Sequence, residues 1–154
     1  MEILIKNQKI SLQYSDTAGV WMTNANIGSF SNLSIEISKD DFRDKFIDWN
    51  LFTDFMSFVD TEILPMLNLK SKKLLLNYID TIGFYSDTNS IRFKLEGVFY
   101  KSKIHSRFFE GEVFSYSLLF KLYKSGYEEC YEPYVNYLIF VENGLITGFK
   151  KEQL

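Results

Sequence analysis

The sequence is poor in the residues that most often carry chemistry. Its 154 residues include one cysteine, Cys130, and one histidine, His105. A single cysteine cannot form an internal disulfide, so nothing in the sequence requires an oxidising compartment. Nor can one cysteine and one histidine complete a zinc site, which needs clusters of these residues at short spacing. A Cys130–His105 nucleophile pair would need both side chains to meet in space, and no local signature around Cys130 predicts this.

Glycine clusters and long apolar runs are also lacking. The eight glycines are scattered singly along the chain, which excludes the glycine-rich loops that bind phosphates. No segment reaches the ~20 apolar residues that cross a bilayer. The opening residues, MEILIKNQKISL, have neither a basic leader nor a long apolar core, so no signal peptide is predicted. We therefore expect a cytoplasmic protein with no metal, no cofactor and no membrane partner.

Aromatic side chains are what the sequence has in excess. Phenylalanine, tyrosine and tryptophan together make up 18% of the residues, whereas alanine occurs only at positions 18 and 25. Large flat rings with few small residues suit the half-buried surfaces of β-sheets better than closely packed helix bundles. The length is that of one typical domain of ~100–200 residues. We predict a single domain, residues 1–154, with much of the chain in strands.

Charge is unevenly distributed along the chain, although the formal net charge is only −3. Residues 36–62 contain eight acidic and three basic side chains, and residues 70–124 contain ten basic and five acidic ones. Residues 125–154 are acidic again, with five acids against two bases. Binding of nucleic acid usually needs a basic excess over a whole domain, so this pattern disfavours nucleic acid as a partner.

Alternation of apolar and polar residues predicts strands towards both ends of the chain. The pattern covers residues 2–6, 10–14, 33–37, 91–95 and 114–122, and an apolar run over residues 134–141 predicts a further strand. Two hairpins are predicted. One turns at Asn7–Lys9, and the other at Asn143-Gly144, a dipeptide that readily takes positive φ angles. Past Gly97, we expect Phe99 to keep the inward phase of Leu95.

The middle of the chain changes to helical spacing. Ser38 and the acids after it predict the start of a first helix. A second helix is predicted over residues 51–64 and a shorter third over Lys70–Ile79, with Pro65 either ending the second or beginning the third. The predicted fold is α+β. It has an antiparallel, curved sheet of about six to eight strands, with two or three helices from residues 39–80 packed on one face.

The stretch KSGYEECYEPYVNY, residues 124–137, concentrates tyrosine and glutamate in the connection between two predicted strands. Pro133 cannot donate to a ladder, so this connection is irregular or lies at an edge. Tyrosine gives rigid contact area with a polar tip, and glutamates speed the encounter with a basic partner. In the alternative interpretation, the rings turn inward and cap the sheet while the glutamates keep the turn soluble. The candidate partner-binding residues are Tyr127, Glu128, Glu129, Tyr131, Glu132 and Tyr134.

A second acidic candidate is the segment DDFRDKFID, which places carboxylates four residues apart on one predicted helix face. It has no glycine for the sharp turn of a calcium loop. Its acids alternate with Arg43 and Lys45, which is typical of a solvated helix face with weak ion pairs. A basic partner could also contact these acids, and the further candidates are Asp40, Asp41, Asp44 and Asp48.

Three classes of function remain open from the sequence. In size, acidity and composition the chain resembles the immunity proteins of bacterial toxin systems. This resemblance implies a non-enzymatic inhibitor of a protein partner. The acidic stretches predict that the partner is basic, and exposed sheet edges leave both a monomer and a homodimer open. An aromatic-rich sheet could instead enclose the pocket of a small-molecule carrier, or an enzyme could act through Tyr, Asp or Glu without a motif. We favour the binding protein because the charges are segregated and reactive side chains are few.

Overall fold

The computed structural model describes residues 2–5, 8–38, 63–83, 90–105, 107, 110 and 112–154. These residues form nine strands and one helix. In chain order they are β1 Glu2–Ile5, β2 Gln8–Ser11, β3 Gln13–Ser15, β4 Val20–Ile27, β5 Phe30–Ser38, α1 Leu64–Ile82, β6 Ile91–His105, β7 Glu112–Lys124, β8 Val135–Glu142 and β9 Leu145–Gln153.

Strands β3 to β9 form one sheet in which spatial order follows chain order. Every neighbouring pair is antiparallel except β5 and β6, which run parallel. The prediction of an antiparallel sheet is therefore corrected to a mostly antiparallel one. The physical reason is the long connection between β5 and β6, which includes α1 and can return the chain to the starting edge. A hairpin at the start of the chain is confirmed as β1–β2, which forms a separate two-stranded sheet, but Gln8 and Lys9, predicted as part of its turn, pair within β2.

The described residues contain one helix, so the prediction of two or three helices is not confirmed. The first predicted helix, and the second up to residue 62, fall on residues 39–62, outside the described residues. The third is confirmed and is longer than predicted, because α1 starts with Pro65 in its first turn, where no backbone donor is needed. It ends at Gly83, whose φ of 64° is the left-handed cap that glycine favours. No helix in this part of the chain is long and apolar enough to cross a membrane.

The core lies between α1 and one face of the sheet. Ile35, Val98, Leu118 and Ile139 follow one another directly across β5, β6, β7 and β8, and none of them is exposed. From the helix side, α1 buries a stripe of residues against the sheet and packs on β6 and β9. The buried residues of this stripe are Leu64, Leu67, Ser71, Leu75 and Ile79. The alternating pattern of the sequence thus becomes one apolar face, as predicted.

A bulge in β6 changes which face its side chains occupy. The register between β6 and β7 shifts between Leu95 and Gly97, so Val98 rather than Phe99 continues the buried face. The predicted inward phase of Phe99 is therefore wrong, because an extra residue reverses the period-two alternation. Glycine is needed at the bulge, since a Cβ at Gly97 would lie 3.1 Å from the Ser34 carbonyl oxygen.

The hairpin predicted at Asn143-Gly144 is confirmed between β8 and β9. The φ angles of Asn143 and Gly144 are 49° and 73°, which the two-residue turn requires. A Cβ at Gly144 would also lie 3.3 Å from the Ile63 Cδ1 atom. This turn brings β9 back along β8 and places the end of β9 beside the tyrosine-rich connection.

Candidate binding surface on the tyrosine-rich link

The connection between β7 and β8, residues 125–134, is here called the link. It begins with a turn at Gly126, whose φ is 84°, and the Ser125 N–H donates to the Ser90 carbonyl at 2.7 Å. The chain then returns beside β7. Cys130 forms a β-bridge with Tyr123, and the Tyr131 N–H donates to the Leu122 carbonyl at 2.8 Å. Cys130 and Tyr131, in the second half of the link, therefore pair with the edge of β7 beyond the start of β8.

Two basic side chains on the sheet donate hydrogen bonds to the backbone at the link. Arg92 on β6 donates from Nη2 to the Tyr127 carbonyl at 3.0 Å. Lys121 on β7 donates from Nζ to the carbonyls of Pro133 and Val135, at 3.0 and 3.1 Å. Both cations thus satisfy backbone acceptors of an irregular segment, which would otherwise rely on water.

Three of the link tyrosines point into solvent. Tyr127 is 64% exposed, Tyr131 is 44% exposed and Tyr134 is 72% exposed. Tyr123 and Tyr137, which flank the link on β7 and β8, are buried. The interpretation that the link tyrosines turn inward and cap the sheet is therefore wrong for all three. Tyr137 belongs to the apolar core, whereas Tyr123 alternates with the buried Leu122 and lies on the other face of the sheet, against Glu96 and Arg92.

The glutamates of the link divide into two groups. Glu128 and Glu129 are exposed, beside the tyrosines. Glu132 is half-buried and accepts a hydrogen bond from the Tyr137 hydroxyl at 2.7 Å. Glu132, a predicted contact residue, thus also supports the base of the link. The surface is mixed in charge, because the Lys124 Nζ lies 4.9 Å from the centre of the Tyr131 ring.

Tyr123 lies beneath the part of the link that contains Cys130, with which it forms a β-bridge. Its hydroxyl donates to Glu96, and the Arg92 Cζ and Lys94 Nζ lie 5.0 and 5.7 Å from its ring centre. Burial raises the pKa of Tyr123, and the hydrogen bond to Glu96 raises it further. The hydroxyl therefore stays protonated near neutral pH, and the ring lies within cation–π distance of the Arg92 and Lys94 side chains.

The structure separates Cys130 from His105. His105 pairs with Glu112 at one end of β7, and Cys130 bridges Tyr123 near the other end. At ~3.3 Å per strand residue, the backbones of the two lie on the order of 35 Å apart along β7. The Cys130 Sγ instead lies 3.5 Å from the Leu122 carbonyl oxygen. A Cys130–His105 nucleophile pair is therefore excluded.

Burial raises the pKa of the Cys130 thiol, so the reactive thiolate should be scarce near neutral pH. We expect the folded protein to react with iodoacetamide more slowly at pH 8 than the urea-unfolded chain does. The rate should rise with pH through a higher midpoint in the folded protein than in the unfolded chain, because burial raises the pKa of the thiol. Mass spectrometry of the alkylated protein measures the rate, with Cys130→Ser as the unlabelled control. Equal rates for folded and unfolded protein would contradict a partly buried, neutral thiol.

Two acidic segments were predicted as candidate binding surfaces. The structure describes the one in the link and does not describe the other. Tyr127 to Tyr134 share the link, whereas Asp40, Asp41, Asp44 and Asp48 lie outside the described residues. Within the described ranges, no three His, Cys, Asp or Glu side chains are grouped so as to hold a metal ion. The sequence did not indicate that Arg92 and Lys121 support the link. Alternation placed both on one sheet face, but which backbone they contact follows only from the path of the link.

Comparison with protein-family models, curated proteins and solved structures finds no match.

Proposed function

We propose that the chain is a non-enzymatic cytoplasmic binding protein that neutralises a basic protein partner, such as a bacterial toxin, through the link. The observation that carries this proposal is the outward display of Tyr127, Tyr131 and Tyr134 on a segment fixed to the sheet. Tyrosine is enriched among the residues that dominate binding energy. Three of them on one short segment therefore form a surface suited to protein contact.

The proposed partner is basic because of the two exposed glutamates. Glu128 and Glu129 sit between Tyr127 and Tyr131, so a contact that covers the rings also meets the carboxylates. Complementary charge at the rim of an interface mainly raises the association rate, and salt weakens this effect. A partner held here should therefore associate more slowly as the salt concentration rises.

Binding rather than catalysis is also supported by what the nearby reactive groups do. Cys130 contacts a backbone carbonyl, and Tyr123 donates to Glu96, so both serve packing of the link. Their raised pKa values keep them protonated near neutral pH. Neither group is therefore in the deprotonated form that acts as a nucleophile at that pH.

The proposal is tested by capture of partners on the immobilised protein from cytoplasmic extract, at low and at high salt. The informative variant is Glu128→Gln with Glu129→Gln. The matched control is Glu2→Gln with Asp16→Asn, which removes two exposed acids that lie outside the link, on β1 and in the turn between β3 and β4. We expect a basic protein that is retained at low salt and released at high salt. Its association rate should fall about tenfold for the link variant and be unchanged for the control.

Two results would overturn this proposal. Equal association rates for the link variant and its control would show that the link glutamates do not take part in the contact. Retention of no protein, with a small molecule bound to the purified chain in native mass spectrometry, would instead identify a carrier.

A further inference from the structure

Lys121 occupies an unusual position for a lysine on a sheet. It lies directly opposite Lys94 in the β6–β7 register, although like charges in that arrangement repel each other. The Lys121 Nζ bonds two carbonyls, those of Pro133 and Val135, on either side of Tyr134. The Lys94 Nζ contacts the Tyr123 ring instead. The repulsion between the two lysines is therefore offset by separate partners, and the partner of Lys121 is the link backbone.

Arg92 acts on the other half of the link. Its hydrogen bond to the Tyr127 carbonyl fixes the backbone next to Glu128, while its guanidinium also stacks on the Tyr123 ring. Arg92 and Lys121 together contact the backbone at or beside Tyr127 and Tyr134, the two most exposed tyrosines of the link. Both halves of the link are thus attached to strands of the central sheet.

We propose that Arg92 and Lys121 are positioning residues that fix the link in its binding conformation before a partner arrives. Ordering a loop during association costs affinity, and a loop that is already held in place avoids this cost. The role in binding rests on the proposed function of the link. The attachment itself does not depend on that function and can be measured on the isolated protein.

Hydrogen exchange with Lys121→Met tests this inference. Lys94→Met is the matched control, because it removes the same charge from the facing position without touching the link backbone. We expect the amides of Tyr131 and Val135, which donate to Leu122 and Glu132, to exchange about tenfold faster in Lys121→Met. Exchange in the core of β7 and the midpoint of urea unfolding should match those of Lys94→Met.

Arg92→Met provides a second variant if Lys121→Met does not fold, and it should speed exchange at Tyr127. Unchanged link exchange in Lys121→Met or Arg92→Met, or an equal increase in Lys94→Met, would overturn the positioning role. Because this measurement needs no partner, its failure leaves the proposed function standing. Failure of the capture experiment would instead refute the proposed function, and it would not affect the inference that Arg92 and Lys121 fix the link.

Discussion

Replacing Phe120 with alanine should lower the free energy of unfolding by about 4 kcal/mol. Phe120 is fully buried on β7, in the middle of the sheet, and lies directly between Leu95 on β6 and Tyr137 on β8. Alanine would leave a cavity that rigid strands on both sides cannot fill by moving together. Urea unfolding followed by circular dichroism measures the change.

Phe149→Ala is the matched control for this substitution. Phe149 carries the same ring on the edge strand β9 but is 38% exposed, where it packs against Tyr78 of α1 at a centroid distance of 5.0 Å. Its loss should cost about 1 kcal/mol, since less buried area is removed from the core. Similar costs for both variants would contradict the placement of the core on β7.

Replacing Tyr127 and Tyr134 together with alanine should weaken partner binding at least about a hundredfold. Both rings are largely exposed in the isolated protein, so the substitution removes contact area for a partner and little internal packing. The main-chain acceptors at these positions, the carbonyls that Arg92 and the Leu154 N–H contact, are kept in the variant. The unfolding free energy should change by less than about 0.5 kcal/mol per site. Titration calorimetry with the captured partner measures the affinity.

The control for the tyrosine variant is Met66→Ala with Leu69→Ala. These side chains are 42% and 69% exposed on α1, so the pair removes apolar surface from a different part of the molecule. Its affinity for the partner should equal that of the unchanged protein. A loss of affinity in the control as large as in the tyrosine variant would show that the contact does not lie on the link.

Much of the sheet was predictable from the sequence because local rules determine strands and tight turns. Asn143-Gly144 specifies its hairpin through backbone conformation alone, and residues 114–122 specify β7 through strict alternation. The parallel pairing of β5 with β6 was not predictable, since neither strand encodes which neighbour it takes after a long connection. The bulge at Gly97 was missed for a related reason: the Ser34 backbone approaches Gly97 closely from another strand, and the sequence of β6 does not encode that neighbour.

The candidate site was predictable in composition but not in arrangement. Tyrosine and glutamate in residues 124–137 identified the link, and Pro133 indicated that the segment is irregular. The sequence did not decide whether its rings face inwards or outwards, because a turn has no periodicity from which to predict a side-chain direction. The attachment of the link through Lys121 depends on contacts between residues 12 and 14 positions apart, which no local pattern encodes.

The most direct test of the binding role is photo-crosslinking from the link. A benzophenone amino acid is placed at position 127 in one version of the protein and at position 69 in another, since both positions are exposed. After irradiation in cytoplasmic extract, position 127 should give a crosslink to one basic protein, and position 69 should not. A shared set of crosslinked proteins at both positions, or a specific partner only at position 69, would contradict the account.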